Sequence, residues 1–380
     1  MNLLQSRTMA TAFEEAAVSE SVIRNESWIA LLGYRDEPTD GVDDYCTYLA
    51  RALMSRGIEL TKNRVALAEK GWIGALRQLS RDCAEWRGDW ILLQYTAFMW
   101  SRHGFPLLAL LAQMLLHRSV HVAVVFHEPR RQGGDRAIDR LRGVCQDWVI
   151  QRLYRRSEKS VFTVPIETIG WLPRDKRKAV FIPIGANIPE CAIRRISQDR
   201  EKTVIVFGVT EAPVATREAQ EIAAIMKRVV EEFANLRLVV VGRGSIDAEQ
   251  TLRNALKSSG VEVVVRGILP AEEIAREFQC ADVQLCIRGP LTLRRGSALA
   301  GIACGIPVVG YREGKIDSPL DEAGVEWSCW QDRDDLVRGL VRVLRDPQRW
   351  AQLRMRNLRV QENELSWNRI AERYRSVLAE

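Results

Sequence analysis

The chain has 380 residues, 47% hydrophobic and 27% charged, which is ordinary globular composition with room for two domains of typical size. That balance excludes a disordered, collagenous or disulfide-scaffold protein. Lys plus Arg number 55 and Asp plus Glu 49, a net charge of +6, too small an excess to call for a nucleic acid partner.

No run of about 18 apolar residues occurs, so no membrane-spanning helix is expected. Arg7, Glu14 and Glu15 deny the N-terminus the apolar core of a secretory signal. The eight cysteines form no C-x-x-C pair and no zinc-type spacing with histidine, so neither a metal site nor disulfides are expected. A soluble, cytoplasmic protein is the resulting expectation.

Residues 1–26 are polar and aperiodic and read as a flexible N-terminal arm. A buried strand follows at Trp28–Gly33, then a polar loop ending in Gly41, then a helix from Val42 to about Ser55 with apolar side chains at Val42, Tyr45, Cys46, Leu49 and Leu53. Further strands read as short apolar runs at Trp90–Gln94, Val120–Phe126, Ser160–Val164 and Ala179–Ile182, with helical patterns near 71–85, 103–117 and 136–156. Arginines crowd 130–142 and 152–156. Such a basic first half would attract an anionic partner, a phospholipid surface included, unless these are merely solvated helix faces.

The run 185–200 lacks a period, carries Pro189 and reads as an interdomain linker. The pattern then restarts, with strands at Thr203–Phe207, Leu236–Val241, Val261–Val265, Val283–Cys286 and Pro307–Val309. Helices fall near 216–233, 248–258, 271–279 and 297–304, with a helical tail from 333 onward. Continuous apolar strands alternating with helices predict α/β architecture: two Rossmann-like, doubly wound domains, 27–184 and 201–365, facing a central cleft. The terminal segment 366–380, with Ile370, Tyr374 and Val377 on one face, is expected to pack back on the first domain. Ligands of such sheets bind beyond the carboxyl ends of the strands, so the cleft is the expected site.

The segment Arg288–Gly310 is the most informative. Ser297 reads as an N-cap, small residues Ala298, Ala300, Gly301 and Ala303 suit a helix packed tightly on its sheet, and Arg294, Arg295 and Gly296 precede it. A helix N-terminus flanked by two guanidiniums suits a diphosphate. No Gly-x-Ser-x-Gly elbow is present, and Asp247 replaces the third glycine of a dinucleotide loop begun at Gly242-Arg-Gly244. Hydrolase and dehydrogenase readings are therefore weak.

The strand, loop, small-residue helix and Ala303-Cys-Gly-Ile-Pro-Val-Val309 resemble the donor-domain signature of GT-B glycosyltransferases, specifically the family 4 retaining group. Asp40-Gly-Val-Asp-Asp-Tyr45, Phe181-Ile-Pro-Ile-Gly-Ala-Asn187, Val239-Val-Val-Gly-Arg-Gly244, Val265-Arg-Gly-Ile268 and Ala281-Asp-Val283 are similar to further pieces of that group, in order, over residues 28 to 378. The resemblance implies a hexosyltransferase-type enzyme moving sugar from a nucleotide-diphosphate sugar to a polysaccharide, glycolipid or metabolite acceptor, with retention and without metal or cofactor. A lipid-linked acceptor would bring the protein to the inner membrane face.

It places His127 at the donor sugar, and Gly41, Arg217, Gly242, Arg266, Gly267, Arg294, Arg295, Gly296 and Ser297 around the donor. A histidine at a strand's carboxyl end can donate to a sugar hydroxyl and titrate near neutrality. Glu128 would orient the imidazole or meet an acceptor hydroxyl, or else pair with Arg130 or Arg131. The group's two glutamates on the donor helix are absent, with Thr292 and Ala300 standing in their places. Three outcomes follow: a variant donor grip using the arginines and Ser297; a substitute carboxylate from Glu313, Asp317 or Asp321; or a catalytically silent homologue serving as a binding or scaffolding subunit.

Overall fold

The structure, a computed structural model, describes residues 26–116, 120–189 and 201–379. The expected arm, up to residue 25, and residues 190–200 of the expected linker lie outside the described residues.

The first domain is a six-stranded parallel sheet: β1 (Glu26–Leu32), β2 (Ile58–Arg64), β3 (Trp90–Tyr95), β4 (His121–Phe126), β5 (Lys159–Phe162) and β6 (Ala179–Phe181), in the order β2-β1-β3-β4-β5-β6. Every residue of β3, and all but the first of β4, is buried, as parallel strands covered on both faces require. The connecting helices are α1 (Gly41–Met54), α2 (Leu67–Glu85), α3 (Leu107–Leu116) and α4 (Ala137–Arg156). Right-handed crossovers put α2, α3 and α4 side by side on one face, with α1 on the other.

The second domain repeats the plan. Its strands β7 (Lys202–Phe207), β8 (Leu236–Val241), β9 (Val261–Gly267), β10 (Val283–Cys286), β11 (Val308–Arg312) and β12 (Val325–Cys329) run parallel in the order β12-β11-β10-β7-β8-β9. Helices α5 (Val214–Val230), α6 (Ser245–Leu256), α7 (Ala271–Cys280), α8 (Gly296–Ala303), α9 (Arg333–Arg345) and α10 (Pro347–Val360) surround them.

The chain then returns to the first domain as α11 (Trp367–Ala379). Ile370, Ala371, Tyr374 and Leu378 enter the first core. The Tyr374 hydroxyl lies 2.7 Å from that of Tyr45 on α1, and the Trp90 indole N–H donates to the Leu378 carbonyl at 3.0 Å.

Strand order reverses between β1 and β3 and again between β7 and β10. At those reversals neighbouring connections leave on opposite faces and open a crevice at the strands' carboxyl ends. Six of the described cysteines are free thiols, whereas Cys304 is disulfide-bonded, against the expectation from spacing. Spacing along the chain does not show which side chains the fold brings together.

Candidate active site

The two crevices face each other across a cleft of about 1230 Å³. Single-ligand pockets hold roughly 300–1,000 Å³, so this one has room for a large donor and part of a second molecule. Of the residues expected at the site, Gly41, His127, Glu128, Gly242, Arg294, Arg295, Gly296 and Ser297 line it together.

Three expected residues do not. Arg217 is exposed on α5, away from the cleft. Arg266 is paired with Glu277 of α7 at 2.9 Å. Gly267 acts only through its carbonyl, which accepts the Gly242 N–H at 2.7 Å. Side-chain alternation along β9 turns Arg266 outward, which a local pattern match does not resolve.

The second-domain wall is built around the start of α8. Arg295, not Ser297, occupies the cap position, and no side chain caps the helix. The first described intrahelical bonds begin at Ala298 and Leu299, both donating to the Arg295 carbonyl. The amides of Gly296 and Ser297 are therefore left for a ligand.

Gln284 of β10 locks this helix in place. Its Oε1 accepts from the Gly301 amide at 2.9 Å, and its Nε2 donates to the Ser297 carbonyl at 2.7 Å. A Cβ on Gly301 would fall 2.3 Å from that Oε1, so only glycine admits the clamp.

Arg294 and Arg295 have no carboxylate partner among the described residues. Burial, and Arg288 nearby, lower the Arg295 guanidinium from its ordinary value. An anion set there would relieve both costs. Arg288, at the carboxyl end of β10, and Arg243, after β8, line the same wall, and the sequence reading passed over both. Arg243 reaches across to the first domain, its Nη2 donating to the Thr39 carbonyl at 2.7 Å and to Thr39 Oγ1 at 2.9 Å. Their signal was position: each follows a buried strand at its carboxyl end.

The first-domain wall has the opposite character. Asp40 caps α1, accepting from the amides of Val42 and Asp43 at 3.2 and 3.1 Å, so that helix end is already neutralised. Gly41 lines the cleft, but its carbonyl accepts from Asn187 at 3.0 Å, and an added Cβ would meet nothing closer than 3.9 Å. By contrast Gly242, at φ +90° with Phe207 2.9 Å from a would-be Cβ, is required by its turn.

His127 follows β4, half-buried, with the Tyr45 ring edge-on at 4.9 Å. Its Nε2 lies 2.9 Å from Oε1 of the buried Gln94. The Gln94 amide nitrogen donates to the Leu92 carbonyl at 3.2 Å, which turns Oε1 toward the imidazole. His127 Nε2 is thus the protonated nitrogen, and Nδ1 is left as an acceptor. Desolvation, opposed by Asp40, pushes the ring down to about 4. The expectation of titration near neutrality is corrected: this histidine is neutral. Glu128 does not orient it, and neither Arg130 nor Arg131 pairs with Glu128. Gln132 donates to Glu128 at 3.1 Å, Arg130 bonds the Thr168 carbonyl, and Arg131 pairs with Asp147.

Thr292 lines the cleft, but Ala300, within α8, is buried and does not. Glu313, Asp317 and Asp321 do not reach the cleft. Glu272, in the first turn of α7, does. Among the described residues no three His, Cys, Asp or Glu side chains gather to hold a metal ion, and no helix is long and apolar enough to cross a membrane.

Two facing parallel α/β domains with a returning terminal helix make the GT-B fold. Residues 201–346 match the family described as Glycosyl transferases group 1. The chain is similar in structure to the sucrose-phosphate synthase of Thermosynechococcus elongatus (TM-score 0.67, 16% identity, 93% of this chain and 99% of that one). It is similar also to Anabaena HepE in complex with UDP and glucose (0.63, 12%, 93% and 99%), and to an E. coli trehalose-6-phosphate protein bound with UDP-2-fluoro glucose (0.61, 12%, 93% and 99%). No curated protein matches by sequence. These likenesses show the GT-B fold over nearly the whole chain, with the family match confined to its second domain.

Proposed function

We propose that the chain transfers a sugar, with retention, from a nucleoside-diphosphate sugar to an acceptor held by the first domain. One observation carries the reading: the uncapped start of α8, with Arg294 and Arg295 unpaired beside it, opens into the same cleft as the neutral His127. The diphosphate would sit on the Gly296 and Ser297 amides between guanidiniums, where charge building on the leaving oxygen is stabilised by fixed donors. HepE and the E. coli protein were each solved with a UDP-containing ligand, which supports a nucleotide-sugar donor here.

The apolar rim Ile268, Leu269 and Pro270 offers a surface for the nucleobase. Among the described residues Glu272 supplies the one second-domain carboxylate on the cleft wall and takes over hydroxyl recognition that Thr292 and Ala300 do not provide. The His127 Nδ1 accepts from a sugar hydroxyl and Gln94 holds it in that state.

The test is a thermal-shift panel of nucleoside diphosphates and their sugar conjugates, since a ligand bound only by the folded state raises its melting point. At least one diphosphate should raise it, and His127→Ala should keep that shift while losing transfer. If no diphosphate raises it, the donor assignment fails. Binding without turnover of any conjugate would make the chain a silent homologue.

A further inference from the structure

Among the described residues sixteen large hydrophobic side chains are exposed, and ten of them stand on the three adjacent helices α2, α3 and α4. The clustering is too tight to be ordinary scatter.

Helix α3 is inverted. Its one polar side chain, Gln113, is buried and donates to the Leu153 carbonyl of α4 at 3.0 Å. Leu107, Leu111, Met114 and Leu115, spaced i, i+4, i+7 and i+8 on one face, are exposed. Beside it α4 exposes Ile138, Leu141, Val144 and Trp148, the last 47% exposed.

Arginines frame this face. The two acids of α4, Asp139 and Asp147, are neutralised by Arg142 and Arg131. Arg140, Arg152, Arg155 and Arg156 have no carboxylate partner among the described residues, and the Arg152 guanidinium lies over the Trp148 ring at 5.5 Å.

From this arrangement we infer that the α2–α4 face docks on an anionic lipid bilayer. The apolar side chains enter the headgroup boundary and the unpaired arginines meet lipid phosphates. A second copy of the chain fits worse, because a two-fold contact through this face would set unpaired arginines against arginines. The helices start at the cleft edge of the sheet, and the loop leading into α3 carries Phe98 and Arg102 to the cleft lining. Docking therefore holds the cleft mouth at the membrane surface and, where the sugar-transfer reading holds, favours a lipid-linked acceptor.

The test is co-sedimentation of the full chain with vesicles of phosphatidylcholine alone or mixed with phosphatidylglycerol. Two variants keep the core intact: Leu111→Gln with Leu141→Gln and Trp148→Gln, and Arg140→Gln with Arg152→Gln. The wild type should partition onto the mixed vesicles and not onto phosphatidylcholine. The arginine variant should lose about thirty-fold in partition, and the apolar variant at least about tenfold. The melting shift given by a nucleoside diphosphate should be the same in all three, which separates this inference from the donor assignment. Absence of binding to mixed vesicles overturns it, as does binding unchanged in both variants. A dimer by light scattering that the apolar variant abolishes, without vesicle binding, gives the face to a second copy instead.

Discussion

Gln94→Glu tests whether burial beside an uncharged acceptor keeps His127 neutral. The substitution places a carboxylate where the amide oxygen now lies, 2.9 Å from His127 Nε2. Two unit charges with centres about 4 Å apart at an effective dielectric near 20 attract by about 4 kcal/mol, or roughly three pK units. Desolvation now puts the ring at about 4 instead of 6.5. The variant's imidazole should therefore titrate near pH 7, on the order of three units higher. The second carboxylate oxygen would face the Leu92 carbonyl in place of the N–H that now bonds it, so the fold should lose about 1–3 kcal/mol.

Nitrogen-15 NMR of labelled histidine, assigned with His127→Gln, reads both titration and tautomer. The wild type should show a neutral ring protonated at Nε2 across pH 5 to 8, a measurement that stands even if the variant folds poorly. A wild-type ring titrating near 6.5, or carrying its proton on Nδ1, refutes the reasoning. Stability follows the same shift. Between pH 6.5 and about 4 the unfolded chain binds a proton that the folded chain refuses. Stability should thus fall as pH drops through that window, by up to about 3 kcal/mol from this group.

Arg294→Ala with Arg295→Ala should weaken nucleoside diphosphate binding on the order of a hundredfold, because charged hydrogen bonds contribute about 1.5–3 kcal/mol each and Arg294 is exposed. Unchanged affinity in calorimetry removes the phosphate assignment. Arg243→Ala deletes both bonds to Thr39, and small-angle scattering should show the free protein more open. An identical scattering profile would mean that the closed cleft does not depend on that reach. Gly242→Ala forces a side chain into φ +90° against Phe207 and should cost about 1–3 kcal/mol by denaturant unfolding; a neutral result would show that the turn relaxes.

The interior of each sheet was readable in the sequence because doubly covered strands are continuous apolar runs, as in Trp90–Tyr95 and Leu236–Val241. The edge strands β2 and β12 were missed. In Ile58-Glu-Leu-Thr-Lys-Asn-Arg64 only Ile58 and Leu60 are buried, and no uninterrupted apolar run marks it. At the site, Arg294 and Arg295 showed themselves by adjacency to a small-residue helix. Arg288 and Arg243 stand alone in the sequence and become part of one wall only when the sheet sets the ends of β10 and β8 on either side of β7. Gln94 was hidden for another reason: within a strand it reads as a polar interruption, and only the parallel register setting Gln94 beside Val125 brings it to His127.

The two helix starts that face the cleft divide the work between the domains. Asp40 closes the amides of α1 with its own carboxylate and, through Arg64 at 2.9 Å, is itself held in an ion pair. That end carries no surplus positive field, and a phosphate brought to it would meet Asp36, Asp40 and Asp44. The start of α8 has no acidic residue in its first turn and two unpaired guanidiniums beside it. A dianionic group entering the cleft thus meets carboxylates at the start of α1 and is drawn to the start of α8, where the backbone dipole and the side chains agree in sign. Reversing that one contrast, by Asp40→Asn together with Arg295→Glu, should abolish diphosphate binding without creating a new site at α1, because the introduced asparagine would still cap the same amides. Recovery of diphosphate affinity in that double variant would show that the field of the α8 terminus does not choose the donor wall.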